Sequence, residues 1–183
     1  MPPLETPELI NNFLAPAFKL PATDGKFYTL QELKGPKGLV IAFICNHCPY
    51  VKAIADKIAK EAIALQKIGI NFVGINANDP IAYPEDSFEN MKLFAQENHY
   101  SFPYLFDESQ EVAKAYDAVC TPDFFGFNSD LLLVYRGRLD AAGKNIMPEA
   151  TRDLFLAMEE ISQDLPISNK QYPSIGCSIK WRI

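Results

Sequence analysis

The 183-residue sequence lacks long hydrophobic runs, a surplus of positive charge, internal repeats and low-complexity segments. Its longest apolar stretch, Leu39 to Cys45, is far shorter than the ~20 residues a membrane-spanning helix needs. Lysine and arginine number 17 against 23 aspartates and glutamates. The resulting net charge of −6 argues against nucleic acid or an anionic membrane as the main partner. The opening MPPLETPELINNF has no basic n-region and no apolar h-region, so no secretory leader is expected and the cytoplasm is the expected location. No linker stands out, so residues 1–183 read as one domain, with an N-terminal extension over 1–14 and a tail over 165–183. A chain of this size, 48% hydrophobic and 22% charged, can bury about 70% of its unfolded surface and needs no staples. Four cysteines in a reducing compartment therefore call for another explanation.

The pattern along the chain alternates strands and helices. Phe18-Lys19-Leu20 and Lys26-Phe27-Tyr28 read as a hairpin turned at Asp24-Gly25. Thr29 and Glu32 have capping-box spacing, so a short helix should follow. Leu39 to Ile44 suits a strand buried on both faces. Val51, Ile54, Ala55, Ile58, Ala62 and Leu65 then recur at helical spacing up to Gly69. Further elements are a buried strand over Ile70 to Ile75, a helix over Ser87 to Asn98, a strand over Pro103 to Phe106 and a short helix over Gln110 to Tyr116. Phe124 to Phe127 and Leu131 to Tyr135 form an antiparallel pair, with Phe124, Phe125 and Phe127 in the core. A helix through Leu154, Phe155, Met158 and Ile161 precedes a tail without periodicity, which Trp181 should anchor. This order predicts an α/β fold with a central mixed sheet flanked by helices on both faces, and ligand chemistry at the carboxyl ends of its parallel strands.

Cys45-Asn46-His47-Cys48-Pro49 lies at such an end. At a strand-to-helix junction the first thiol can sit at the helix N-terminus, where unpaired N–H groups and the macrodipole favour thiolate. A protonated His47 pushes the same way, and the second thiol is close enough to resolve a mixed disulfide. Pro49 suits the first helical turn, where its missing N–H costs nothing. Two other readings of the spacing stay open: half of a zinc site, or cysteines that serve only as small core residues. Asp79, Glu85 and Asp86 around Tyr83-Pro84 could bind a cation, but two prolines and three acids read rather as a solvated, shaped loop, and one that borders the site.

Strand, CxxC, helix and then Cys120-Thr121-Pro122 before a hairpin resemble the thioredoxin fold. FICNHCPYVKAI, NDPIAYPEDS, FPYLFDESQEVAKAY, CTPDFFGF and SIGCSIKW together resemble the peroxiredoxin-like CxxC proteins of the AhpC/TSA superfamily, over about Ala15 to Trp181. That resemblance implies a thiol–disulfide oxidoreductase with an antioxidant role, and no bound metal or cofactor is expected. Cys45 would be the attacking thiol, Cys48 the resolving one and His47 the tuning residue. Pro122 would be a cis-proline, with Thr121 presenting backbone groups to an extended substrate. The substrate would be a protein or small-molecule disulfide, or a peroxide, and another cellular dithiol would donate electrons.

The sequence departs from both relatives. The position six before the first cysteine, where thioredoxins resemble one another in carrying a buried acid, is Leu39, and Ile44 stands where they place an aromatic. Against peroxiredoxins, Cys48-Pro49 aligns with the peroxidatic cysteine and its proline, but Cys45 and Ile41 replace the hydroxyl residue and the proline before it. The position of their catalytic arginine falls at Pro122, so peroxide turnover through Cys48 should be slow. Cys120 and Cys177 form a possible second redox pair, the alternative being two inert thiols. A zinc site built from all four cysteines, on a non-catalytic protein, is the third option.

Overall fold

A computed structural model describes residues 2–183. In chain order the strands are β1 (Leu4–Glu5), β2 (Lys19–Pro21), β3 (Phe27–Thr29), β4 (Gly38–Phe43), β5 (Ile70–Asn76), β6 (Tyr104–Phe106), β7 (Cys120–Thr121), β8 (Asp123–Asn128), β9 (Leu133–Gly137) and β10 (Ile175–Ser178). The α-helices are α1 (Leu30–Leu33), α2 (Pro49–Lys67), α3 (Phe88–Glu97), α4 (Glu111–Ala115) and α5 (Asp153–Ser162). The central sheet has the order β6-β5-β4-β8-β9, with β4 parallel to β5 and antiparallel to β8.

Alternation along β4 divides the core into two layers. Val40, Ala42 and Ile44 face Ile54, Ile58 and Leu65 of α2 and Met158 of α5. Leu39, Ile41 and Phe43 face Leu20, Leu30, Leu33 and Tyr116 on the other side. With both faces covered, all six residues of β4 are buried, as the continuous apolar run requires. The stripe on α2 from Val51 to Leu65 is buried along its length, and Gly69, at φ +84°, turns the chain into β5. Thr29 and Glu32 close the expected capping box on α1.

Three strands lie outside the sequence-based expectation: β1, β7 and β10 form a small antiparallel sheet. The tail is therefore structured, and Trp181 is not its main anchor. Trp181 is 38% exposed, whereas Ile179 is buried. Backbone groups around Ile179 and Lys180 complete the attachment. Ile179 N donates to Val119 O, Asp79 N to Lys180 O, and Gln110 Nε2 to both Ala77 O and Lys180 O. Among the described residues no helix is long and apolar enough to cross a membrane.

Candidate active site

The central sheet delivers β4 to a turn over residues 44–48, and α2 leaves from that turn. Pro49 is the first helical residue, so the N-cap is Cys48. This corrects the expectation that Cys45, the first cysteine, occupies the helix N-terminus. Cys45 stays at the end of β4, fully buried, and Cys48 is fully buried as well. All four cysteines are free thiols.

The peptide bond between Thr121 and Pro122 is cis, as expected, and Thr121 lies against both sulfurs. Cys45 Sγ is 3.2 Å from Thr121 Oγ1, and Cys48 Sγ is 3.3 Å from Thr121 O. Their environments differ in sign. Burial pushes the Cys45 thiol well above its ordinary value, and the neighbouring Cys48 and Asp86 reinforce the effect. Cys48 goes the other way, to about 4, chiefly because the Cys45 thiol donates to it. Burial opposes that shift, while the Cys177 thiol and the N–H groups of Val51 and Cys177 add to it. One contact disfavours the thiolate, since the Thr121 carbonyl accepts from a protonated Cys48. The position of Cys48 at the N-cap of α2, where the helix dipole favours negative charge, acts toward the thiolate and makes Cys48 the more acidic thiol of the pair.

His47 does not stand beside the pair as a free cation. Its Nδ1 is bound to Asp86 Oδ2, and its ring stacks on Tyr83 with centroids 5.4 Å apart. The Asp86 hydrogen bond raises the His47 pKa, against the effect of burial. Burial acts to raise the Asp86 carboxyl too, but it is overcome by bonds from His47, Asn78 Nδ2 at 2.8 Å and Asn46 N at 2.7 Å, and its pKa is lowered. Tyr104 OH donates to Asn46 Oδ1 at 2.9 Å and fixes the middle of the CxxC turn. The solvated loop expected around Tyr83-Pro84 is thus partly wrong: Asp86 and Asp79 are buried and Glu85 alone of the three acids is exposed. Asp86 was missed as a site residue. The available signal was its place on the loop that follows β5, next to the end of β4.

Cys45, His47 and Asp86 each bring one ligand atom within 4.8 Å of the others. Among the described residues this is the set that could share a cation, rather than the four cysteines. Both Asp86 oxygens already accept hydrogen bonds, so a metal would have to displace the His47 contact. Cys120 and Cys177 are not gathered as facing partners. The β7–β10 register sets Cys177 opposite Thr121 and Cys120 opposite Ser178, which sends the two side chains to opposite faces of the ladder. Cys177 instead packs on the core cluster that contains Cys45 and Cys48. Burial pushes the Cys120 thiol up, with Asp123 adding to it. A cavity of about 460 Å³ lies beside Pro122, walled by Tyr50 and Ile54 of α2, Phe124 and the segment 138–145.

A mixed sheet with a CxxC at the strand-to-helix junction, and with the residue before a cis-proline against both sulfurs, defines a thioredoxin-fold protein. The AhpC/TSA family model matches residues 13–147, about three quarters of the sequence, and the chain belongs to that family. A solved structure of an uncharacterized conserved protein from Geobacillus kaustophilus is 47% identical, with TM-score 0.95, covering 100% of this chain and 97% of that one. Peroxiredoxin Bcp of Escherichia coli K12 is 26% identical over 131 residues, 72% of this chain and 79% of the relative. A thiol:disulfide interchange protein from Chlorobium tepidum, 17% identical with TM-score 0.61 over 86% of this chain and 98% of its own, shares the fold.

Proposed function

We propose that the chain is a thiol–disulfide oxidoreductase of the cytoplasm in which Cys48, rather than Cys45, is the attacking thiolate. The observation that carries this reading is the placement of both free sulfurs within 3.3 Å of Thr121, the residue before the cis-proline, with Cys48 at the N-cap position of α2. In the forward direction Cys48 thiolate attacks a substrate disulfide, forming a Cys48–substrate bond and releasing one substrate thiolate. Cys45 sulfur then attacks Cys48, closes the Cys45–Cys48 disulfide and expels the second substrate thiolate. The proton lost by Cys45 ends on a released thiolate, so one dithiol and one disulfide have exchanged two electrons. Thr121 Oγ1 touches the Cys45 sulfur from which this step starts, and the His47–Asp86 pair holds the turn between the cysteines.

A second reading, slow reduction of peroxides, is favoured by the same Cys48 thiolate with Pro49 after it. Against it stands the absence of an arginine at the cis-proline position. The test is the rate of disulfide reduction and of peroxide consumption for wild type, Cys45→Ser and Cys48→Ser. Both variants should lose disulfide reduction by ~100-fold or more. Peroxide consumption lost in Cys48→Ser but kept in Cys45→Ser would favour the peroxidase reading. Three equally inert proteins, with stoichiometric zinc in the wild type, would sink the redox reading altogether.

A further inference from the structure

The two CxxC sulfurs are shut away from solvent, and part of what covers them is the chain's own tail. β10 runs antiparallel to β7, with Cys177 opposite Thr121. Gly176 touches the same residue: a Cβ there would collide with the Thr121 carbonyl oxygen, so only glycine allows the strand to lie this close. Ser174 Oγ donates to Pro122 O at 2.6 Å and Ile179 N to Val119 O at 3.0 Å, fixing the strand at both ends. β1 pairs with its other edge. The register puts Cys177 on the same face of the ladder as the Thr121 side chain, which touches Cys45, and Cys177 packs on the core cluster that holds Cys45 and Cys48. Of these three thiols, Cys177 alone retains exposure to solvent. An extended segment on the residue before the cis-proline, carrying a half-buried sulfur packed on the cluster that holds Cys48, has the placement of an exchange partner that is part of the same molecule.

We propose that Cys177 is a third redox cysteine, which passes the disulfide between the buried Cys45–Cys48 pair and an external dithiol at the surface. The inference rests on the oxidoreductase reading above. Starting from the Cys45–Cys48 disulfide, Cys177 sulfur attacks Cys48. The Cys48–Cys177 bond forms, the Cys45–Cys48 bond breaks, and Cys45 takes up the proton that Cys177 gives up. No oxidant enters, because one disulfide has replaced another. A dithiol donor then attacks the exposed Cys177 sulfur and expels Cys48 as thiolate. The second donor thiol attacks the mixed disulfide, leaves with its own disulfide and returns Cys177 as a thiol, while the donor's other proton passes to solvent. The donor has lost two electrons and the protein has gained them. Cys48 suits the role of leaving group, because a thiolate held by several donors departs faster than an ordinary one.

The test uses full-length wild type, Cys45→Ser, Cys177→Ser and Cys177→Ala. Each is oxidised with diamide and its disulfides are mapped by mass spectrometry without reduction. Wild type should contain Cys45–Cys48, and Cys45→Ser should contain Cys48–Cys177. Both Cys177 variants should still form Cys45–Cys48, yet be reduced by a protein dithiol such as reduced thioredoxin ~10-fold or more slowly than wild type. Free Cys48 and Cys177 in oxidised Cys45→Ser overturn the relay, whatever the Cys177 variants do, and that arm needs no change in the tail. Wild-type reduction rates in either folded Cys177 variant overturn it as well. Failure of the wild type to form Cys45–Cys48 marks instead the failure of the underlying redox reading.

Discussion

His47 and Asp86, 39 residues apart, are joined through His47 Nδ1 and Asp86 Oδ2, and the Asp86 side chain has no solvent exposure while that of His47 has 22%. The positive charge of a protonated His47 on the CxxC turn is therefore matched by an acid from a different loop. A thioredoxin-like buried acid is absent from β4, where Leu39 fills that position, and Asp86 supplies a carboxylate to the same neighbourhood by another route.

Removing that acid should be expensive. In Asp86→Ala the Asn46 N–H and the Asn78 amide lose their acceptor inside the fold, and His47 loses its counter-charge. We expect a loss of ~3 kcal/mol in denaturant unfolding, since a broken pair leaves buried donors unsatisfied. Asp86→Asn keeps the shape, and in it the His47 pKa should fall, as read by imidazole NMR titration. The pH window of the pair follows from the two directions. The raised His47 value gives stability that is complete below 6.5 and is lost as pH rises through its folded value. The lowered Asp86 value gives stability present above 3.8 and lost as pH falls through its folded value. The pair is thus at full strength between those limits.

The sequence revealed the central sheet because β4 and β5 are nearly continuous apolar runs and α2 keeps a helical stripe from Val51 to Leu65. It also placed the CxxC at the carboxyl end of a parallel strand. Pro49 even carried the information that Cys48 is the N-cap, because a proline at the first helical position puts the preceding residue there. Two things were not legible. Burial of Asp86 depends on partners from Asn46 and Asn78, which only the completed fold brings together. β10 has four residues, pairs with a two-residue strand more than fifty positions away and shows no alternation of its own. Strands that short are set by the edge they meet, not by their own pattern.

A second prediction concerns Cys48. Its folded value of about 4, against 9.0 for an ordinary thiol, means that the folded reduced chain binds fewer protons than the unfolded one across that interval. Its contribution to stability is complete above 9.0 and is lost as pH falls toward 4. Cys45, raised above 9.0, adds no pH dependence in this range, and the oxidised chain has neither thiol. The difference in Tm between reduced and oxidised protein should therefore move in favour of the reduced form as pH rises from about 5 to about 8. Cys48→Ser should remove this slope together with the thiolate absorbance of the reduced chain at neutral pH. A reduced wild type with no thiolate absorbance at pH about 7 would show that the N-cap does not ionise Cys48.

The residue after the cis-proline, Asp123, is fully buried and pairs with the equally buried Arg136 at 2.9 Å. Arg136 also lies over the Phe125 ring, 4.5 Å from its centroid, and donates to Asp117 O at 2.7 Å. Burial lifts the Asp123 carboxyl to about 6, with Arg136 holding it lower than burial alone would. The sign is opposite to that of Asp86: stability from this group is complete below 3.8 and is lost as pH rises through about 6. Asp123→Ala strands the guanidinium charge and should cost ~3–5 kcal/mol, as should Arg136→Ala, which strands the acid. Replacing both, as Asp123→Leu with Arg136→Met, removes the two charges together and should be more stable than either single variant in chemical denaturation. The double variant then separates two roles of the pair. If it is stable and its disulfide-reduction rate matches wild type, the pair serves the fold; if it is stable but slow, the pair also positions Pro122 and Thr121 against the CxxC.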